Sequence, residues 1–264
     1  MSTISRAIVK TDLKSSLVPF ITAGYPNLAS TSKLINLLDA QGVNAIELGI
    51  PYSDALADGP VIQESSRIAL NQKVYFEKIL ELVHRACSTI RTPIIIFTYL
   101  NPILSRGISI FIKEIADAGA KGLIIPDLPI EEADYFIALC NLHNIELILF
   151  ISLTSSEARI KQILLKAPGC IYLVSSYGVT GERRNLHKGL SCIIAKIKKY
   201  SDKPIMLGFG ISNENQIVQI VKSNLAVDAI VMGSAFIKKI TEDNLNNSFD
   251  NIKDFCQKIK HSMM

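Results

Sequence analysis

The sequence predicts an α/β fold, a single (β/α)8 barrel with a short extra N-terminal helix, and three observations predict it. Eight short strand-like runs alternate with amphipathic helical segments along the whole chain. Most runs are continuously apolar, Ile94-Ile95-Ile96-Phe97 being the plainest, as parallel strands covered on both faces require. The length, 264 residues, suits one such barrel, and no Pro/Ser/Gly-rich linker, charge block or low-complexity tract divides residues 1–264 into two domains. Alternation alone also fits an open doubly wound sheet, so closure is an expectation of length and count together.

In chain order, residues 4–13 read as the extra helix and residues 17–22 as the first strand. The other strands are read at residues 45–49, 93–99, 122–126, 146–152, 170–175, 204–208 and 229–233. Between them, apolar residues recur three and four apart. Leu34, Leu37 and Leu38 form one stripe, and Phe111, Ile115 and Ala118 form another. Residues 134–141, 157–165, 191–199 and 214–221 continue the pattern. Gly42 and Gly119 follow helical stripes where a left-handed residue ends a helix, and Ser212 or Asn213 suits an N-cap before Glu214.

Composition narrows the class. The chain is 48% hydrophobic, which suits one large core. Its formal net charge is +4, and its nearest basic cluster, Lys196, Lys198 and Lys199, reads as a solvated helix face, so neither a nucleic-acid nor a membrane partner is expected. No apolar run reaches the ~18 residues a membrane helix needs. Cys87, Cys140, Cys170, Cys192 and Cys256 lack C-x-x-C spacing and read as small core residues in a reducing compartment. The histidines at 84, 143, 187 and 261 show no ligand spacing, so no metal site is expected. Residues 1–16 carry no evident cleavable targeting signal, and a cytoplasmic or plastid-stromal location is expected.

In a barrel the chemistry lies at the C-terminal ends of the strands. Glu47 interrupts the apolar run Ala45-Ile46-Glu47-Leu48-Gly49. Desolvation there raises a carboxyl pKa and suits it to acid/base work, while a structural ion pair or a water-bonded position at the mouth is the alternative. The next loop holds Pro51, Asp54, Asp58, Gly59 and Pro60. Its shape suggests function, although Asp-Gly is also ordinary turn chemistry. Gly178-Val179-Thr180-Gly181, Gly208-Phe209-Gly210-Ile211-Ser212 and Met232-Gly233-Ser234-Ala235 follow strands six, seven and eight. They read either as tight turns or as a phosphate site made of backbone N–H groups and helix N-termini.

Together these segments resemble the tryptophan synthase α subunit family. The resemblance runs from about Pro19 to Lys239 and is carried by Pro19-Phe20-Ile21-Thr22-Ala23-Gly24-Tyr25-Pro26, by Glu47 through Gln63, by Pro126-Asp127-Leu128-Pro129, and by Tyr172-Leu173-Val174-Ser175 with the glycine segments. It implies a lyase that splits indole-3-glycerol phosphate into indole and glyceraldehyde 3-phosphate without metal or organic cofactor, in tryptophan biosynthesis. It also implies an α2β2 complex in which indole passes to a β subunit. A stand-alone lyase releasing free indole is the alternative, and another phosphate-handling barrel or a non-catalytic subunit fits less well.

By the same resemblance Glu47 is the acid/base and Asp58 the carboxylate that accepts the indole N–H. Phe20, Tyr172, Thr180 and Phe209 contact the substrate, with barrel filling or packing as the other reading for Tyr172 and Phe209. Gly181, Gly210, Gly233 and Ser234 hold the phosphate, and Pro51 and Asp54 face the β subunit. The loop with Thr180 is expected to close over Asp58. The sequence departs from many bacterial members at Ala55, where they have Pro, and at Ser175-Ser176-Tyr177, where they carry an Arg.

Overall fold

A computed structural model describes residues 2–9, 13–175, 189–208, 210–211, 213–246 and 248–264. The order is α1 (Thr3–Val9), β1 (Ser16–Thr22), α2 (Leu28–Ala40), β2 (Ile46–Gly49), α3 (Pro60–Asn71), α4 (Phe76–Cys87) and β3 (Ile94–Phe97). Then come α5 (Leu100–Arg106), α6 (Ile108–Asp117), β4 (Gly122–Ile124), α7 (Ala133–Leu142), β5 (Glu146–Ser152), α8 (Glu157–Lys166) and β6 (Ile171–Val174). The chain continues through α9 (Leu190–Tyr200), β7 (Ile205–Gly208), α10 (Glu214–Lys222), β8 (Ala229–Met232), α11 (Ser234–Asn246) and α12 (Asp250–Ser262).

The strands form a closed barrel in sequence order, all parallel, with β1 paired to both β2 and β8. An open sheet is thereby excluded. Most strands are a residue or two shorter than the apolar runs, because ladder pairing stops where the chain bends into its loops. The extra helix ends at Val9 rather than Leu13. Gly42 and Gly119 take φ of 66° and 105°. Each lets the chain turn back, so that Val43 N–H reaches the Leu38 carbonyl and Ala120 N–H the Ile115 carbonyl. Asn213 caps α10, its Oδ1 accepting the Gln216 N–H at 3.1 Å, and Ser212 lies outside the described residues.

Period-two alternation sorts the strand side chains into two shells. Leu17, Ile21, Ile46, Leu48, Ile94 and Ile96 face outward and pack with the helices. Val18, Phe20, Ile95, Phe97, Ile124, Ile148, Tyr172, Met206 and Val231 fill the barrel. The register pairs Phe20 with Glu47 and Glu47 with Ile95, which places Glu47 in the inward-facing set.

The N-terminal mouth is closed by α1, whose Ile4 and Ile8 join the interior cluster. A buried carboxylate fastens it. Glu146, at the start of β5, accepts the Ser5 N–H at 3.0 Å, the Ser5 hydroxyl at 2.5 Å and the Cys170 N–H at 2.7 Å, and the Ser2 hydroxyl also bonds it.

Cys140, Cys170 and Cys256 are buried and Cys87 is half-buried, but Cys192 is exposed. It stands on α9 opposite the face that buries Leu190, Ile193, Ile194 and Ile197, so its expected core role is corrected. Lys196 and Lys199 are solvated, whereas Lys198 pairs with Asp228 at 3.5 Å.

Candidate active site

The C-terminal mouth of the barrel gathers Phe20, Glu47, Asp58, Tyr99 and Tyr172. Glu47 is 1% exposed, and its Oε1 has no hydrogen-bond partner among the described residues. Burial pushes its pKa up to about 8. The acid is therefore mostly protonated at neutral pH, and the expected structural ion pair is absent among the described residues. A buried polar atom without a partner is costly, and here it faces the space a ligand would enter.

Asp58 comes from the loop after β2, just before Gly59 caps α3. The loop is tied down at several points. Asp58 N–H donates to the Ala55 carbonyl at 3.1 Å, and Gln63 Nε2 donates to the Ala55 and Asp58 carbonyls at 3.2 and 3.0 Å. Ala55 packs into the interior cluster. Burial pushes the Asp58 pKa up to about 6, while a hydrogen bond from Tyr99 pulls it down. The two carboxyls thus differ in charge at pH 7, Glu47 keeping its proton and Asp58 mostly losing it. Turn geometry accounts for part of this loop, but it does not account for an aspartate held buried and ionised.

Tyr172 links the two. Burial pushes its phenol well above the usual range, and the Glu47 and Asp58 charges add to the push. A Cβ on Gly208 would lie 2.0 Å from Tyr172 Oη, and one on Gly49 would lie 2.5 Å from Phe20 Cζ. Both strand-end glycines therefore leave room for an aromatic ring. Phe20 meets Phe97 edge-on at 5.5 Å, and Tyr172 leans on Phe150 at 4.8 Å. The mouth is walled by rings, as a planar aromatic ligand requires.

Across the mouth, Ser234 opens α11 and Gly233 precedes it, with Gly233 beside Ile62 and Phe20. The first N–H groups of a helix lack acceptors within it and favour an anion. Gly210 is described, its carbonyl accepting Gln216 Nε2 at 3.1 Å. Thr180, Gly181 and Phe209 lie outside the described residues, as do Gly178, Val179, Ser176 and Tyr177. Asp54 is exposed and Pro51 buried within the chain, so of these two expected partner contacts only Asp54 presents its side chain outward. Phe97, Tyr99 and Phe150 were not singled out in the sequence. Counting in twos from Glu47's neighbour Ile95 would have turned Phe97 and Tyr99 inward. Among the described residues no group of three His, Cys, Asp or Glu could hold a metal.

Residues 7–264 match the family model described as tryptophan synthase alpha chain. The tryptophan synthase alpha chain of Gracilaria tenuistipitata var. liui is 51% identical over 263 residues, covering 100% of this chain and 97% of that relative. That of Pyropia yezoensis is 48% identical over 264 residues and covers 100% of both. A solved structure of Mycobacterium tuberculosis tryptophan synthase matches with a TM-score of 0.89 at 27% identity, covering 99% of this chain and 98% of that one. The crystal structure of the tryptophan synthase alpha chain from Legionella pneumophila matches at 0.87 and 30% identity, covering 100% and 97%.

Proposed function

Because the chain belongs to the tryptophan synthase alpha chain family, we propose that the mouth of this barrel carries out the family's reaction through Glu47 and Asp58. The chain is a lyase of tryptophan biosynthesis: it cleaves indole-3-glycerol phosphate to indole and glyceraldehyde 3-phosphate, and indole passes to a β subunit. The observation that carries the residue assignment is the split between a buried, protonated Glu47 with an unpartnered oxygen and a buried, ionised Asp58.

The chemistry follows from that split. Glu47 gives its proton to indole C3, which becomes tetrahedral and leaves positive charge on the ring. Asp58 accepts the indole N–H and stabilises that charge. The Glu47 carboxylate then removes the proton of the hydroxyl next to the C3 bond. The carbon–carbon bond breaks, its electron pair returns to the ring, the oxygen becomes the aldehyde, and Glu47 is protonated again. Phe20 and Tyr172 hold the ring between the carboxyls. Gly210, Gly233 and Ser234, with Gly181 and the start of α11, hold the phosphate through backbone N–H groups. Phe209 completes the indole wall, Thr180 bonds Asp58 on closure, and Asp54 and Pro51 belong to the β-facing loop.

No helix among the described residues is long and apolar enough to cross a membrane. The cytoplasm or a plastid stroma is the proposed location, in keeping with the red algal relatives. Indole release by the purified chain, with and without a tryptophan synthase β subunit, tests the reading. Release accelerated by β supports it, fast release indifferent to β points to a stand-alone lyase, and no release in either case overturns it.

A further inference from the structure

Tyr99 lies just past β3, in neither the carboxylate pair nor the glycine rim. It is buried, its ring fixed edge-on to Phe97 at 6.4 Å and tilted against Tyr52 at 5.3 Å. Its hydroxyl accepts the Ala57 N–H at 3.0 Å. A phenol that accepts one bond still has its own proton to give, and the Asp58 carboxylate receives it. The backbone of this loop is already held by Gln63 and by the turn bond from Asp58 to Ala55. The Tyr99 hydroxyl therefore adds its effect at the carboxylate itself.

We propose that Tyr99 is a positioning residue for the cleavage, holding the Asp58 carboxylate ionised and aimed at the indole nitrogen through one hydrogen bond while the Ala57 N–H locks the phenol in place. This rests on the reading of Asp58 as the group that accepts the indole N–H. The physical need is plain. Burial alone drives Asp58 toward its neutral form, a weaker acceptor and no counter-charge for the ring. A phenol donor opposes that drive without bringing a competing cation into the mouth. The other titratable groups here are carboxyls and a phenol: Glu47 and Tyr172 across the barrel, and Asp127, which takes the Leu100 N–H at 2.8 Å and adds its charge near Tyr99. None of them supplies the positive partner that would make Tyr99 redundant.

The test removes the hydroxyl and keeps the ring. In Tyr99→Phe, the acid limb of the kcat/KM profile for indole-3-glycerol phosphate moves up by about one pH unit, and turnover near pH 6 falls about tenfold. The carbon-13 signal of the Asp58 carboxyl titrates at correspondingly higher pH, a readout independent of turnover. With 3-fluorotyrosine at position 99, a stronger donor of nearly the same size, both move down instead. An unchanged Asp58 titration in both proteins overturns the proposal, as does a loss of activity equal at every pH. Asp58→Asn, assayed alongside, separates the two readings. Wild-type turnover there overturns the role of Asp58 itself, while an inactive Asp58→Asn with an unaltered Tyr99→Phe overturns only the role of Tyr99.

Discussion

Glu47→Gln should make the protein more stable at alkaline pH while ending its catalysis. Glutamine has nearly the same shape as glutamic acid but cannot ionise, so the substitution isolates the cost of charging a buried group. In the folded chain the Glu47 carboxyl is pushed up to about 8, against 4.5 for the free group. The folded state therefore binds more protons than the unfolded one across this window. The stability linked to Glu47 is fully present below about pH 4.5 and is lost progressively as pH rises to about 8. At 1.36 kcal/mol per pH unit, a window about 3.5 units wide corresponds to at most about 5 kcal/mol, and water entering the mouth reduces it. The free-energy gap between Glu47→Gln and wild type should then grow by about 3 to 5 kcal/mol between pH 5 and pH 9. Asp58 is present in both proteins, so its own titration largely cancels. Urea denaturation followed by circular dichroism at the two pH values measures the gap. A gap that does not change with pH would refute the claim that Glu47 is held neutral by burial. The variant should still bind a phosphate ligand such as glycerol phosphate while releasing no indole.

Three further outcomes follow from the same geometry. The kcat/KM of the wild-type chain should be bell-shaped, falling below about pH 6 as Asp58 is protonated and above about pH 8 as Glu47 loses its proton; a flat profile from pH 5 to 9 would count against both assignments. Gly49→Ala would place a Cβ 2.5 Å from Phe20 Cζ, so the ring must shift; expected are a loss of about 1–3 kcal/mol in urea titration and a raised KM. Glu146→Ala strips the acceptor from Ser5 and from the Cys170 N–H; stability should fall by about 2–4 kcal/mol while kcat well below the melting temperature stays near wild type, since the change lies at the opposite mouth.

Periodicity made the barrel legible, and Glu47 was legible because a lone charge in an apolar strand has few explanations. Other features depend on pairings that no local pattern carries. Tyr99 gains its role from Ala57, 42 residues earlier, yet in the sequence it reads only as the end of a strand. Glu146 reads as a strand's first residue, and its partners among residues 2–5 lie more than 140 positions away. The double helices after β3 were also hidden, because a single Gly107 both ends α5 and opens α6. A break of one residue is shorter than the window that periodicity needs. The strand limits were read too wide for the opposite reason: apolar side chains continue past the last ladder pair into the loops that carry the chemistry.

The seal at the barrel floor has a bearing on how the chain acquires its shape. The carboxylate that fastens the first helix lies 141 residues from Ser5, and the Cys170 N–H that reaches the Ser5 hydroxyl lies 165 residues from it. Closing β1 onto β8 spans a still greater length, Ser15 donating to the Val227 carbonyl 212 positions on. Contacts this distant carry a loop-closure cost before they return any stabilisation. The earliest residues to leave the ribosome are thus among the last to find their partners. Until β8 has emerged, the half-built barrel keeps an open edge and an uncovered floor, and that interval is when the chain is most exposed to pairing with a neighbour.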